Sequence, residues 1–343
     1  MPRRQTAANA LRYSRLAVRF TDFPTPAIPK DYDEAIASYV GRVTSRAKAI
    51  YQVGTVHAPG LSDIDLIVVP GPPRLDDDFF YSARTRLPRA QARFYEGDPR
   101  LVPVSLGPVL RYTSHGNRRL LWGEDVFASI EQDESREQRW SILLEGFVKY
   151  EAWLAKVRRR QRASVHKIIA KAYSLHYAFA DLDHVAGLQL CAPFHARVDA
   201  LRAGYFAAGE PPEQKAAVGL ELLESGLALL ESHLKEILPL GRGESVSEFA
   251  FDFLNSGREI PGLDGKRLSE RRRAIRDYQL TIWRLGYFRG EIFGGAAYSE
   301  RRRRYRRRSP AALALWPLLG LGYRIRGASE RLGKSPHKAA RAG

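Results

Sequence analysis

At 343 residues the chain exceeds the length over which one hydrophobic core usually grows, so it is expected to fold as two domains rather than one. A composition of 44% hydrophobic and 27% charged residues excludes a disordered chain, and a single cysteine, Cys191, excludes an intramolecular disulfide framework and a cysteine-rich zinc centre. The formal charge of +17 is local: thirteen Lys and Arg against one acid, Glu330, lie from Arg301 onward, which leaves about +5 for the first 300 residues.

Residues 1–30, with scattered Pro and Arg, read as a peripheral N-terminal arm without a signal-like apolar stretch, which makes a cytoplasmic protein the simplest expectation. From Asp31 the apolar spacing of Ile36, Tyr39, Val40 and Val43 predicts a helix with one buried face. Ile50 to Val53 is a short β-branched and aromatic run that ends at Gly54. Asp63 to Val69 predicts a second strand, stopped by Pro70-Gly71-Pro72-Pro73. Asp76-Asp77-Asp78 suits a helix N-terminus, where carboxylates complement the dipole. A helix is expected around Phe79 to Arg93. A third strand follows over Leu101 to Leu106, with Pro103 placing it at a sheet edge. Another short apolar segment, Leu120 to Trp122, precedes Gly123.

From Glu134 the character changes to long Ala-, Leu-, Glu-, Lys- and Arg-rich stretches at helical spacing, with breaks expected near Ser164, Leu182, Gly209 to Pro212 and Leu238 to Ser245. The expected fold class is therefore α+β: a mixed sheet with flanking helices over 31–130, then an all-helical domain over 134–297 and a basic tail over 298–343. Ala311 to Tyr323 is too short an apolar run to span a bilayer.

The tail carries three readings. Arg301 to Arg308, set among Tyr298 and Tyr305, suits the phosphates of nucleic acid. Beside the neighbouring Leu- and Trp-rich segment, the same arginines suit a peripheral anchor on an anionic membrane. In the third reading that apolar segment packs back as a helix on its own domain. Arg160 and His166 have an Arg-x5-His spacing similar to the ribonuclease motif of HEPN helical domains, a spacing that arises easily by chance in so arginine-dense a stretch.

The segment that carries chemistry runs from Val53 to Val69. A glycine turn after one strand leads through a small-residue loop into an acid-x-acid strand. Alternate residues on a strand face one side, so Asp63 and Asp65 project together while Ile64 and Leu66 project the other way. Two carboxylates so close repel if left bare, and a divalent cation between them is one way to offset the cost; hard oxygen ligands suit Mg²⁺, with room in principle for two ions. Gly54 lets the backbone approach a triphosphate, and the hydroxyls of Thr55 and Ser62 can donate to its oxygens. Taken alone, an acid-x-acid pair reads as a solvent-facing edge-strand pair. Gly54-Thr55, Pro59-Gly60 and Ser62, in that order, turn the reading to chemistry.

On Gly54, Thr55, Pro59, Gly60, Ser62, Asp63, Ile64, Asp65 and Leu66 the chain resembles the nucleotidyltransferase superfamily of DNA polymerase beta, particularly its small bacterial and antibiotic-modifying members. The resemblance covers residues 50–70 and extends to about 125, where Leu121-Trp-Gly-Glu-Asp125 looks like the segment closing that domain in relatives. It implies that Asp63 and Asp65 bind metal, and that Gly54 and Thr55 hold the triphosphate of a nucleotide such as ATP.

Three departures from the family pattern stand out. Thr55 replaces a serine. The loop to Asp63 is short and lacks the family's frequent arginine, for which His57 can partly substitute. Leu101 to Leu106 offers no third acid, Glu96 and Asp98 lying just upstream. The resemblance implies a Mg²⁺-dependent nucleotidyltransferase acting on an unidentified hydroxyl-type acceptor. The rival is a catalytically inactive module of the same fold, docking on nucleic acid or membrane through its tail.

Overall fold

The fold is seen in a computed structural model that describes residues 18–71, 77–95, 99–112, 117–256 and 258–284. The basic tail, Ala311 to Tyr323, Glu96 and Asp98 lie outside the described residues. The architecture is a mixed sheet with flanking helices, followed by a helical part interrupted by one three-residue strand, and the described residues through Thr281 belong to one compact unit.

Part of the expected N-terminal arm is integrated into the fold: β1 (Arg19–Thr21) pairs in parallel with β6 (Arg162–Ser164). Helix α1 (Pro29–Val43) starts where its residues dictate. Pro29 occupies the first turn, where no amide is needed, and the Asp31 carboxylate accepts from the Ile28 amide at 2.9 Å. Its buried face is Tyr32, Ala35, Ile36, Tyr39 and Val43.

The main sheet has the order β4-β3-β2-β5. Strand β2 (Ala47–Val53) is central and antiparallel to both β3 (Asp65–Pro70) and β5 (Arg118–Gly123), while β4 (Arg100–Leu101) runs parallel to β3. Ile50, Tyr51, Ile67, Val68 and Val69 are fully buried, which accounts for the continuous apolar runs in β2 and β3. The Tyr51 hydroxyl donates to Asp125 at 3.0 Å and so fixes the segment after β5.

Several boundaries differ from expectation for local reasons. The third strand is only two residues long, because Pro103 interrupts pairing and a 3-10 turn takes Val104–Leu106 into the short helix α4 (Gly107–Leu110). The helix expected around Phe79 to Arg93 is split into α2 (Asp77–Thr85) and α3 (Arg89–Ala92), because Pro88 cannot continue the first and caps the second.

The helical part consists of α5 (Arg136–Arg160), α6 (Val165–Ala186), α7 (Cys191–Ala203), α8 (Pro212–Ile237), α9 (Val246–Ser256) and α10 (Gly265–Arg284). The Ser135 hydroxyl caps α5 by accepting from Gln138 at 3.2 Å, and Ser164 does the same for α6 from Lys167 at 3.4 Å. No break occurs at Leu182. The helix continues to Gly187, whose φ of +69° supplies the left-handed stop. Leu143, Leu144, Leu175, Phe179, Leu223, Leu230 and Phe249 form a core between these helices, against which Cys191 packs half-buried. No described helix is long and apolar enough to cross a membrane.

Candidate functional site

The site is built where β2 ends and β3 begins. Val53 lies opposite Asp65 on one side and opposite Arg118 on the other, so these three share one face of the sheet at its edge. The next residue, Gly54, turns the chain with φ +70° and donates its amide to the Asn117 carbonyl at 2.9 Å. Open space surrounds the position a Cβ would take there, so the backbone is accessible to a ligand.

The loop is stapled from within. Ala58 O accepts from the amides of Leu61 and Ser62 at 2.9 and 2.8 Å, and the Ser62 hydroxyl accepts from the Ala58 amide at 3.1 Å. Tyr32 on α1 receives the Gly60 amide at 2.8 Å and donates to the Ser62 carbonyl at 2.8 Å. Gly60 has φ +88°, and a Cβ there would lie 2.6 Å from Thr25 O and 2.8 Å from the Phe206 ring. Leu61 is 2% exposed and packs with Val165, Ile169 and Tyr205, which anchors the loop to the helical part at a gain of about 2 kcal/mol for that side chain.

Strand β3 begins at Asp65, two residues later than the sequence suggests, so Asp63 and Ile64 precede it. Ile64 is buried at 3% exposure and its amide donates to the Phe94 carbonyl at 2.8 Å. Asp63 on one side of it is half-buried and Asp65 on the other is exposed. Burial pushes the Tyr32 hydroxyl to a higher pKa, and the Asp63 carboxylate adds to that, which places Asp63 within electrostatic reach of Tyr32.

The remaining expected residues take specific roles. Thr55 Oγ1 and His57 Nε2 are hydrogen-bonded at 2.5 Å, both exposed, so the two side chains form one unit at the loop entrance. Ser62 Oγ accepts a second hydrogen bond, from Arg202 Nη2 at 3.3 Å, and retains its own proton as a donor. Arg202 and Tyr32 carry no motif in the sequence. They enter the site only because the helical part and α1 fold against the loop.

Among the described residues no group of three or more His, Cys, Asp and Glu side chains is placed to hold a metal ion. What the loop offers is a pair. A Mg²⁺ ion commonly takes one or two carboxylates, completing its shell with phosphate oxygens and water, so Asp63 and Asp65 fit that donor set without a third acid.

No family model matches the chain, and no curated protein matches it. Among solved structures the chain is similar to a nucleotidyltransferase-like protein from Exiguobacterium sibiricum 255-15, at 13% identity over 74% of this chain and 91% of that one, with a TM-score of 0.23.

Proposed function

We propose that the chain is a Mg²⁺-dependent nucleotidyltransferase, moving a nucleoside monophosphate from a nucleoside triphosphate to a hydroxyl-type acceptor. The observation that carries this reading is the placement of Asp63 and Asp65 on either side of buried Ile64, with Asp65 directly across from Val53 and hence beside the Gly54 turn. A Mg²⁺ ion held by these carboxylates would supply charge neutralisation to the phosphates.

The chain's own residues do the rest. Gly54 admits the polyphosphate close to the backbone, and the Thr55–His57 pair and the Ser62 proton offer hydrogen bonds to its oxygens. Tyr32 and Arg202 hold the loop in the conformation that presents them. In the transfer the acceptor oxygen forms its bond to the α-phosphorus as the bond to pyrophosphate breaks, and the acceptor proton leaves to solvent. The test is Mg²⁺-dependent pyrophosphate release with labelled nucleotide. Abolition by Asp63→Ala and by Asp65→Ala supports the proposal, and activity indifferent to both changes removes it.

One observation favours a second reading, a binding module without turnover: Thr55 Oγ1 is already engaged by His57 at 2.5 Å. Calorimetry with nucleotide and Mg²⁺ separates the two. Absence of nucleotide binding at millimolar concentration favours the module.

A further inference from the structure

A concavity opens beside Gly60 of the loop, with neither Asp63 nor Asp65 in its lining. It encloses about 640 Å³ between the turn after β1, Gly60, α3 and the start of α6, a size that suits a small-molecule ligand. Arg89, Arg93, Lys167 and His166 line it, against a single carboxylate, Asp22. The partners of Arg93 are neutral: its guanidinium hydrogen-bonds the Thr25 hydroxyl and the Pro26 carbonyl and lies 4.7 Å over the Phe94 ring. These contacts orient the group without cancelling its charge. Arg89 is exposed at the mouth. Guanidinium groups match the oxygens of a phosphate in pairs, and the N-terminal end of the 22-residue helix α6 adds favourable potential for the same anion.

Position ties this cavity to the aspartates. Gly60 belongs to its wall and lies three residues from Asp63, so the backbone path between them is at most about 11 Å. The Tyr32 hydroxyl feels both the Asp63 carboxylate and the Arg93 guanidinium, so it lies within electrostatic reach of each.

We propose that this cavity binds a small phosphate-bearing molecule through Arg89, Arg93 and Lys167, and that this molecule is the acceptor. The acceptor role rests on the transferase reading above, whereas the binding itself does not. Inorganic phosphate is the probe, titrated into the full chain at low ionic strength and followed by calorimetry and ³¹P line width. Phosphate is expected to bind in the millimolar range, and the double variant Arg89→Glu with Lys167→Glu is expected to weaken it at least about tenfold. Both side chains are exposed, so the variant is expected to keep the wild-type melting curve. A milder pair, Arg89→Gln with Lys167→Gln, is expected to fall between.

Asp63→Ala is expected to lose Mg²⁺–nucleotide binding while retaining phosphate binding, which would mark two separate sites. Three results overturn the proposal: no phosphate binding by the wild type at about 10 mM, binding indifferent to the charge reversal, or one-for-one displacement of phosphate by nucleotide. The last would make the cavity the seat of the triphosphate. Absence of nucleotide binding by the wild type, with phosphate still lost on charge reversal, would overturn the acceptor role and the transferase reading together while the anion site stands.

Discussion

Arg202 on α7 donates a hydrogen bond to the Ser62 hydroxyl at 3.3 Å across 140 residues of sequence, and its guanidinium lies 3.6 Å over the Tyr173 ring. At 8% exposure this arginine is buried, so its charge is worth holding only where the geometry is good. The contact couples the helical part to the loop before Asp63. Arg202→Met should therefore cost about 2–3 kcal/mol, from the lost charge-assisted bond and the lost ring contact. A double-mutant cycle with Ser62→Ala, read by urea denaturation, should show a coupling of about 1 kcal/mol. A coupling of zero would mean that the two residues are neighbours without energetic connection.

Gly54 and Gly60 both have positive φ, +70° and +88°, but they predict different phenotypes. Nothing lies within 4 Å of a Cβ built at Gly54, so Gly54→Ala carries only backbone strain, about 1 kcal/mol, and its main effect should be weaker nucleotide binding. Gly60→Ala adds a collision with the Thr25 carbonyl at 2.6 Å, which backbone must move to relieve. A loss of about 3 kcal/mol or more is expected there. Thermal melts of the two variants, set beside nucleotide titrations, distinguish a ligand-facing glycine from a structural one.

The loop was legible in the sequence because its signals are local: the positive-φ glycines, the break between β-branched runs, and the burial of Ile64 between two acids. Pro88 and Pro103 were equally local, yet their consequences depend on the neighbouring chain, and a continuous helix and a longer strand were expected where each proline ends an element. Tyr32, Arg93 and Arg202 were illegible as site residues. Tyr32 looks like one more apolar-face residue of α1, and the two arginines sit among many others. Only the tertiary fold brings the polar ends of Tyr32 and Arg202 to the loop, and Arg93 into one pocket lining with Gly60. Ser164 was read as a helix break, and the strand it closes with β1 could not be seen from three residues.

The Thr55–His57 pair makes a prediction with a sign. Both residues are exposed on a loop, so His57→Ala should change stability by less than about 0.5 kcal/mol. Should the imidazole assist phosphate binding in place of an arginine, KM for nucleotide should rise about tenfold with kcat nearly unchanged, the pattern of lost uniform binding. Thr55→Ser keeps the hydroxyl and should be near neutral. A lower KM in His57→Ala would show instead that the histidine sequesters the hydroxyl from the nucleotide.

Asp181 gives the fold a pH dependence far from the site. It is 7% exposed on α6 and accepts from Arg139 Nη1 at 3.1 Å. Burial nevertheless outweighs that partner and pushes the carboxyl from 3.8 up to about 6. The folded chain therefore holds this proton more tightly than the unfolded chain. The stability from that preference is full below about pH 4 and is lost as pH rises through about 6, an effect of about 2–3 kcal/mol at most. Glu224, also raised by burial beside Arg158, acts in the same direction, whereas His176, lowered by burial, acts in the opposite one. The change in unfolding free energy between pH 5 and pH 7 thus needs a subtraction. Asp181→Asn keeps an acceptor for Arg139 and removes the titration. Urea denaturation of wild type and variant at both pH values should show that the wild type loses more stability toward pH 7. Parallel pH profiles would mean that Asp181 stays ionised in the fold, held by Arg139 despite its burial.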